Sequence, residues 1–277
     1  MRRTISVMMG KGSVNHNSRQ FTAENVDPLR TKNNITYCNE KIKDVYHELF
    51  DEALEKYNAK QTRKDRMIDN YYEKINTGSQ EKPFYEIILQ IGDKDNMSAQ
   101  SENGEIAKKI LDKYMHDFKK RNPYLRVFSA HLHMDEATPH LHIDFVPFTT
   151  GSKRGLETRV SLKKALEAQG FKGGRRSDTE WNQWVASEKE KLADVMLEHG
   201  IEWEKKGTHE KHKSVNEFKR DKLIEEVESL TEQKEELQRS MATAKKAEEH
   251  ALLTVRKVKD NDDFKLPEPP MMMSAKT

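Results

Sequence analysis

The stretch that decides the fold is His131-Leu132-His133-Met134-Asp135-Glu136-Ala137-Thr138-Pro139-His140-Leu141-His142-Ile143-Asp144-Phe145-Val146-Pro147. It holds four histidines in two His-x-His pairs, with apolar residues in the gaps and on the flanks (Val127, Phe128, Leu132, Leu141, Ile143, Phe145). That two-residue period is the period of a β-strand, in which alternate side chains share one face. Between the pairs lies a short polar connector, and its Pro139 breaks any continuous ladder and keeps Thr138 extended. The pattern predicts a β-hairpin. If His133 faces His140, then His131 faces His142, and directly opposed Cβ atoms lie about 4.5–5.5 Å apart. A lone His-x-His is more often an ordinary half-exposed strand. A second pair across a tight, acid-bearing connector points instead to imidazoles gathered on one face to hold a metal ion, with coordination positions left open for chemistry.

The run His133-Met134-Asp135-Glu136-Ala137-Thr138-Pro139-His140-Leu141-His142 resembles the metal motif of the MobV (Mob/Pre) relaxases, plasmid mobilisation enzymes of the HUH endonuclease superfamily. Near the N-terminus, His16-Asn17-Ser18-Arg19 is similar to that family's first motif. The resemblance implies a divalent ion (Mn²⁺ or Mg²⁺) on His133, His140 and His142, a histidine nucleophile at His16, and Glu136 beside the ligands to orient an imidazole or accept its proton. Arg19 or Arg30 would stabilise charge developing on phosphate, and by strand alternation Asp135 is a second candidate for the acid. It further implies plasmid origin-of-transfer DNA as the substrate, nicked and rejoined through a covalent histidine–5′-phosphate intermediate, and the conjugation machinery of a helper element as partner. Many superfamily members use tyrosine instead, but no tyrosine occupies the matching place; the first one is Tyr37.

The chain of 277 residues has 34% hydrophobic and 35% charged residues, too polar for one compact core, so part of it is expected as solvated helix or tail. Its formal charge of +2 assigns any nucleic-acid contact to local clusters. Cys38 is the single cysteine, and no membrane-length apolar run or signal sequence is seen, which gives an expectation of a cytoplasmic protein.

From the N-terminus, Thr4–Met9 is a strand candidate ending at Gly10-Lys11-Gly12, followed by a polar loop through Tyr37. Apolar residues at three- and four-residue steps over Glu40–Ile75 predict two amphipathic helices or one bent one, interrupted at Lys60–Arg66. Pro83–Ile91 reads as a central strand covered on both faces, and Ile106 to Phe118 as a helix stopping before Asn122-Pro123. After the hairpin come a helix candidate over Ser161–Gln169 and another from a Ser177 or Asp178 cap to Gly200, with Trp181 and Trp184 on its apolar stripe. Lys153, Arg154, Arg159, Lys163, Lys164, Lys172, Arg175 and Arg176 gather among glycines and suggest a DNA-contacting flap. The fold class is thus α+β: a mainly antiparallel sheet with helices packed on one face, HUH-type by resemblance, plus a C-terminal helical extension.

In that extension Leu223, Leu230, Leu237, Ala244, Ala251 and Val258 recur every seven residues, with Val227, Lys234, Met241, Glu248 and Val255 completing a coiled-coil seam. Lys234 and Glu248 would each meet their own kind in a parallel in-register dimer, so a homodimer through this helix, if formed, favours another arrangement. The expected division is 1–215 for the catalytic, DNA-binding domain, 216–262 for the long helix and 263–277 for a disordered tail. Two other classes compete: a replication initiator or transposase using Tyr71, Tyr72 or Tyr114, and a non-catalytic DNA-binding dimer. A metal-dependent hydrolase acting through water is a third.

Overall fold

The computed structural model describes residues 1–206 and 215–259. In chain order the elements of the first compact unit are β1 (Arg2–Arg3), β2 (Ile5–Met9), α1 (Val14–Asn17), β3 (Ile35–Asn39), α2 (Ile42–Ala59), α3 (Tyr71–Asn76) and β4 (Tyr85–Ile91). Then follow α4 (Glu102–His116), α5 (Phe118–Arg121), β5 (Leu125–His133), β6 (His140–Thr149), β7 (Arg159–Val160), α6 (Leu162–Ala168), α7 (Glu180–Glu198) and β8 (Glu202–Trp203). The second unit contains α8 (Val215–Lys259), and the unit boundary falls between residues 207 and 208.

Five strands run antiparallel in the order β2-β4-β6-β5-β3, and β7 extends the sheet beside β6. The hairpin register is the expected one, with His133 opposite His140 and His131 opposite His142. A bulge between Val127 and Ser129 breaks the alternation once on β5, so that Val127 joins the face of Ala130 and Leu132 while Phe128 leaves it and packs in a different core cluster.

One face of the sheet is apolar throughout: Ile87, Leu89 and Ile91, Ala130 and Leu132, and Leu141, Ile143 and Phe145 all have no more than traces of exposure. Helices α4, α6 and α7 cover it through Ala107, Ile110, Leu111, Leu166, Trp184, Leu192 and Met196. Trp184 is fully buried and donates from Nε1 to Asn122 Oδ1 at 2.7 Å, so the tryptophan on the stripe is core. The helices are not confined to that face. Helices α2 and α3 close a second cluster on the other side, where Val45, Tyr46, Phe50, Ala53 and Tyr71 pack with Phe128, Val146 and Val160. The physical reason is that the histidine face turns apolar toward the far end of β6, and those residues need cover from water.

Several details depart from the sequence reading. The supposed loop through Tyr37 ends in an edge strand, β3, and the N-terminal Arg2–Arg3 pairs in parallel with β8, a contact between the two ends of the first unit. Helix α7 is capped by Thr179, whose side chain accepts from Asn182 N, and not by Ser177 or Asp178. The expected tail at 263–277, and His209 and His212, lie outside the described residues. Helix α8 is continuous, and within it Leu223, Val227, Leu230, Leu237, Met241 and Val255 of the seam are exposed.

Candidate active site

Alternation puts His131 and His133 of β5, His140 and His142 of β6, and Glu86 of β4 on the face opposite the main core. The rings of His133, His140 and His142 have centroids 4.7 to 5.2 Å apart. Each ring has one nitrogen committed. His133 Nε2 lies 2.8 Å from the Asn17 carbonyl, His140 Nδ1 2.7 Å from the Thr138 carbonyl, and His142 Nδ1 2.6 Å from Glu86 Oε1. These acceptors set the tautomers and leave His133 Nδ1, His140 Nε2 and His142 Nε2 as lone-pair donors. Of these, His133 Nδ1 and His142 Nε2 are buried without a hydrogen-bond partner. A buried imidazole nitrogen with no partner is costly unless a ligand completes it, so the trio fits a divalent ion.

Burial and the neighbouring histidines push His133 down to about 2 and His140 down to about 4, which keeps both rings neutral and able to ligate. His131, pushed by burial down to about 4, approaches Thr36 Oγ1 through Nδ1 at 3.1 Å. It belongs to neither set of donors close enough to share an ion among the described residues. Those sets are His16, His133 and His142, and His133, Glu136 and His140, with donor atoms within 4.8 Å of one another in each. The expected trio is thus divided between two sets that share His133.

His16 stands over this array on the short turn α1, its ring 6.0 Å from that of His133 and 6.1 Å from that of His142. Glu136 reaches in from the connector. Its Oε1 lies 3.4 Å from His16 Nε2, 3.7 Å from His140 Nε2 and 3.8 Å from His133 Nδ1. Burial would raise the Glu136 carboxyl, but His16, His140 and Arg19 outweigh it and hold it far below the usual carboxylate range.

Arg19 forks onto Asp135, with Nε to Oδ2 at 3.0 Å and Nη2 to Oδ1 at 2.5 Å, and also donates to Glu136 Oε1 at 2.9 Å. Its backbone takes the left-handed conformation (φ 58°), which costs a non-glycine residue about 1–3 kcal/mol and is held by these bonds. Asp135 is fully buried and also accepts from Thr31 and Asn34, so it anchors the arginine and does not touch the ligand nitrogens. Arg30 spends its guanidinium on Asp27 and on the carbonyls of Met134 and Glu136, which fixes the connector. Exposed Lys153, Arg154, Lys172, Arg175 and Arg176 form the basic loops, while Arg159 is half-buried and bonds Ser152. Lys163 and Lys164 are paired with Glu167 and Glu180.

Three residues of the site escaped the sequence reading. Glu86 is 3% exposed and accepts from His142, from Asn17 Nδ2 at 2.8 Å and from Gly12 N at 2.7 Å. A Cβ on Gly10 would stand 1.9 Å from Glu86 Oε2, so the glycine there lets the chain close over the acid. Asn17 also donates to Asp144, whose carboxyl burial and Glu86 push up to about 7. Two signals were present: Glu86 is the only charge in Pro83–Ile91, and Asp144 continues the alternation of His140 and His142.

The competing tyrosines sit elsewhere. Tyr71 bonds Val160 N within the second cluster and Tyr72 packs on Tyr46. Tyr114 is buried in the main core and donates to Glu188.

Residues 9–220 match the sequence profile of the plasmid recombination enzyme family, Mob_Pre. Plasmid recombination enzymes type 2 from two strains of Staphylococcus aureus are 27% identical over 227 residues, covering 79% of this chain and 44% of theirs. The chain therefore spans less than half the length of those curated relatives. Among solved structures, two Mn-bound crystal structures of the MobM relaxase domain with plasmid oriT DNA are similar at 23% identity. Their TM-scores are 0.49 and 0.48, covering 79% and 78% of this chain and 99% of theirs in both cases.

Proposed function

Since this chain belongs to the Mob_Pre family of plasmid recombination enzymes, we propose that it is a relaxase that nicks and rejoins one strand of plasmid origin-of-transfer DNA through a covalent His16–5′-phosphate link. The observation that carries the reading is His16 set above three imidazoles, each with one nitrogen committed to the protein and the other turned free.

His133, His140 and His142 would hold a divalent ion, Mn²⁺ or Mg²⁺, which when bound withdraws electron density from a phosphodiester oxygen. Neutral imidazoles suit that task because they leave the cation its full charge. Glu136, 3.4 Å from His16 Nε2, takes the proton from that nitrogen or orients it. The lone pair of His16 attacks phosphorus in line as the P–O3′ bond breaks, and the 3′-oxygen leaves as a hydroxyl with the proton that Glu136 removed from His16. Arg19, with one Nη2 on the two acids and Nη1 3.3 Å from His16, stands where charge develops on the phosphate. Retaining the bond energy in the phosphoramidate allows the reverse attack that reseals the strand, which hydrolysis by water would forfeit.

Lys153, Arg154, Arg159, Lys172, Arg175 and Arg176 would neutralise phosphates of the single-stranded and hairpin DNA flanking the nick. Arg30 acts beneath them by holding the connector. In this reading the catalytic domain covers 1–215, the exposed seam of α8 pairs two copies, and transfer relies on the conjugation machinery of a helper element. No described helix is long and apolar enough to cross a membrane.

The test is an adduct assay with a labelled origin oligonucleotide and Mn²⁺. A covalent product that survives alkali, is lost on brief acid treatment and is absent in His16→Ala is expected. An acid-stable adduct that persists in His16→Ala and disappears with Tyr71→Phe, Tyr72→Phe or Tyr114→Phe would overturn the nucleophile. Absence of any adduct with retained DNA binding would favour the non-catalytic dimer.

A further inference from the structure

We infer that Asn17 is the positioning residue that locks the His16 turn onto the histidine array, serving one ligand imidazole through its carbonyl and the other through the acid pair bridged by its amide. The inference rests on the reading of His133 and His142 as metal ligands. Asn17 is 1% exposed, ends α1 and follows His16 directly. Its backbone carbonyl accepts a hydrogen bond from His133 Nε2–H at 2.8 Å, which turns His133 Nδ1 toward the site. Its side-chain Nδ2 donates one hydrogen to Glu86 Oε1 at 2.8 Å and the other to Asp144 Oδ2 at 3.0 Å.

Glu86 and Asp144 are opposed residues of β4 and β6, both buried, and Glu86 Oε1 is also the acceptor that fixes His142 Nδ1. An amide is the neutral group whose two N–H bonds satisfy two adjacent acids at once. Turned over, it would set its oxygen against both carboxylates. The orientation that serves the acids leaves Asn17 Oδ1 buried without a partner, an expense the site accepts for the bridge.

Among the described residues, Asn17 both touches the supports of two candidate ligands and directly follows the candidate nucleophile. Through Asn17 the position of His16 and the tautomers of His133 and His142 become one arrangement, so loosening the turn disturbs the ligands even though Asn17 would not coordinate the ion. Groups that hold metal-ligating histidines from outside commonly matter about 10- to 100-fold in affinity or activity.

The test uses the full chain with two readouts. Long-range ¹H–¹⁵N correlation of the metal-free protein reports imidazole tautomers without metal or DNA. His133 is expected as Nε2–H and His142 as Nδ1–H in the parent, and both are expected to lose that single form in Asn17→Ala. Calorimetric titration with Mn²⁺ alone, run below the thermal midpoint that loss of the two amide bonds to buried acids should lower, should show affinity weakened about 10- to 100-fold in Asn17→Ala. Asn17→Ser, which suits a turn but cannot span both acids, carries the same expectation should the alanine variant fold poorly. Parent-like tautomers together with Mn²⁺ affinity within about twofold in a folded variant would overturn the inference. If the parent binds no Mn²⁺ yet the tautomers still depend on Asn17, the metal reading fails and the positioning role stands; if they do not depend on it, both fail.

Discussion

Acid should destabilise the metal-free protein through His133, and removing that histidine should remove a calculable part of the effect. His133 is fully buried, and burial with its histidine neighbours takes it from 6.5 to about 2. Below 6.5 the unfolded chain takes up a proton that the folded chain rejects, so stability falls as pH falls. The linkage integral for one such group amounts to about 2 kcal/mol between about pH 7 and about pH 5. His131 and His140, each held at about 4, act with the same sign. Asp144 acts against them: at about 7, it binds a proton in the folded state first and gains stability as pH falls toward its unfolded value of 3.8. The comparison is therefore between slopes, parent against His133→Leu, in urea unfolding with chelator at the two pH values. His133→Leu should lose about 2 kcal/mol less on acidification than the parent, equivalent to about 4–8 °C in midpoint for a domain of this size. Parallel losses would mean that folded His133 accepts a proton, and the account of a dry, neutral ligand would be refuted.

Arg19→Lys keeps the charge but cannot fork onto Asp135 while reaching Glu136, so oligonucleotide binding should persist while the adduct-forming rate drops about 100-fold through misplacement of the turn; a rate within threefold by quenched-flow gel assay would argue against it. Deletion from Lys222 onward should leave cleavage of a single-stranded origin oligonucleotide largely intact and lower self-association in sedimentation, since every candidate site residue precedes it; loss of cleavage in a folded truncation would place the long helix in the active unit.

The sequence by itself determined the hairpin, its register, and the gathering of imidazoles on one face, because a strand's side-chain period is a local property that the four histidines spell out. It also located the helices, whose stripes are equally local, and kept Trp184 in the core. What it left open is what closes on that face. Glu86 lies 56 residues from His142, Asn17 lies 69 from Glu86 and 127 from Asp144, and Arg19 lies 116 from Asp135. Such contacts follow from which strands become neighbours in the sheet and from where α1 comes to rest, neither of which is carried by any local period. The same holds for β3, an edge strand whose pairing with β5 is supplied by distant residues, and for Arg30, a plausible phosphate contact in the sequence that folding turns onto backbone carbonyls. A buried charge or polar group is stable only where partners meet it, so the roles of these residues are fixed by tertiary closure, while periodicity fixes only the face they share.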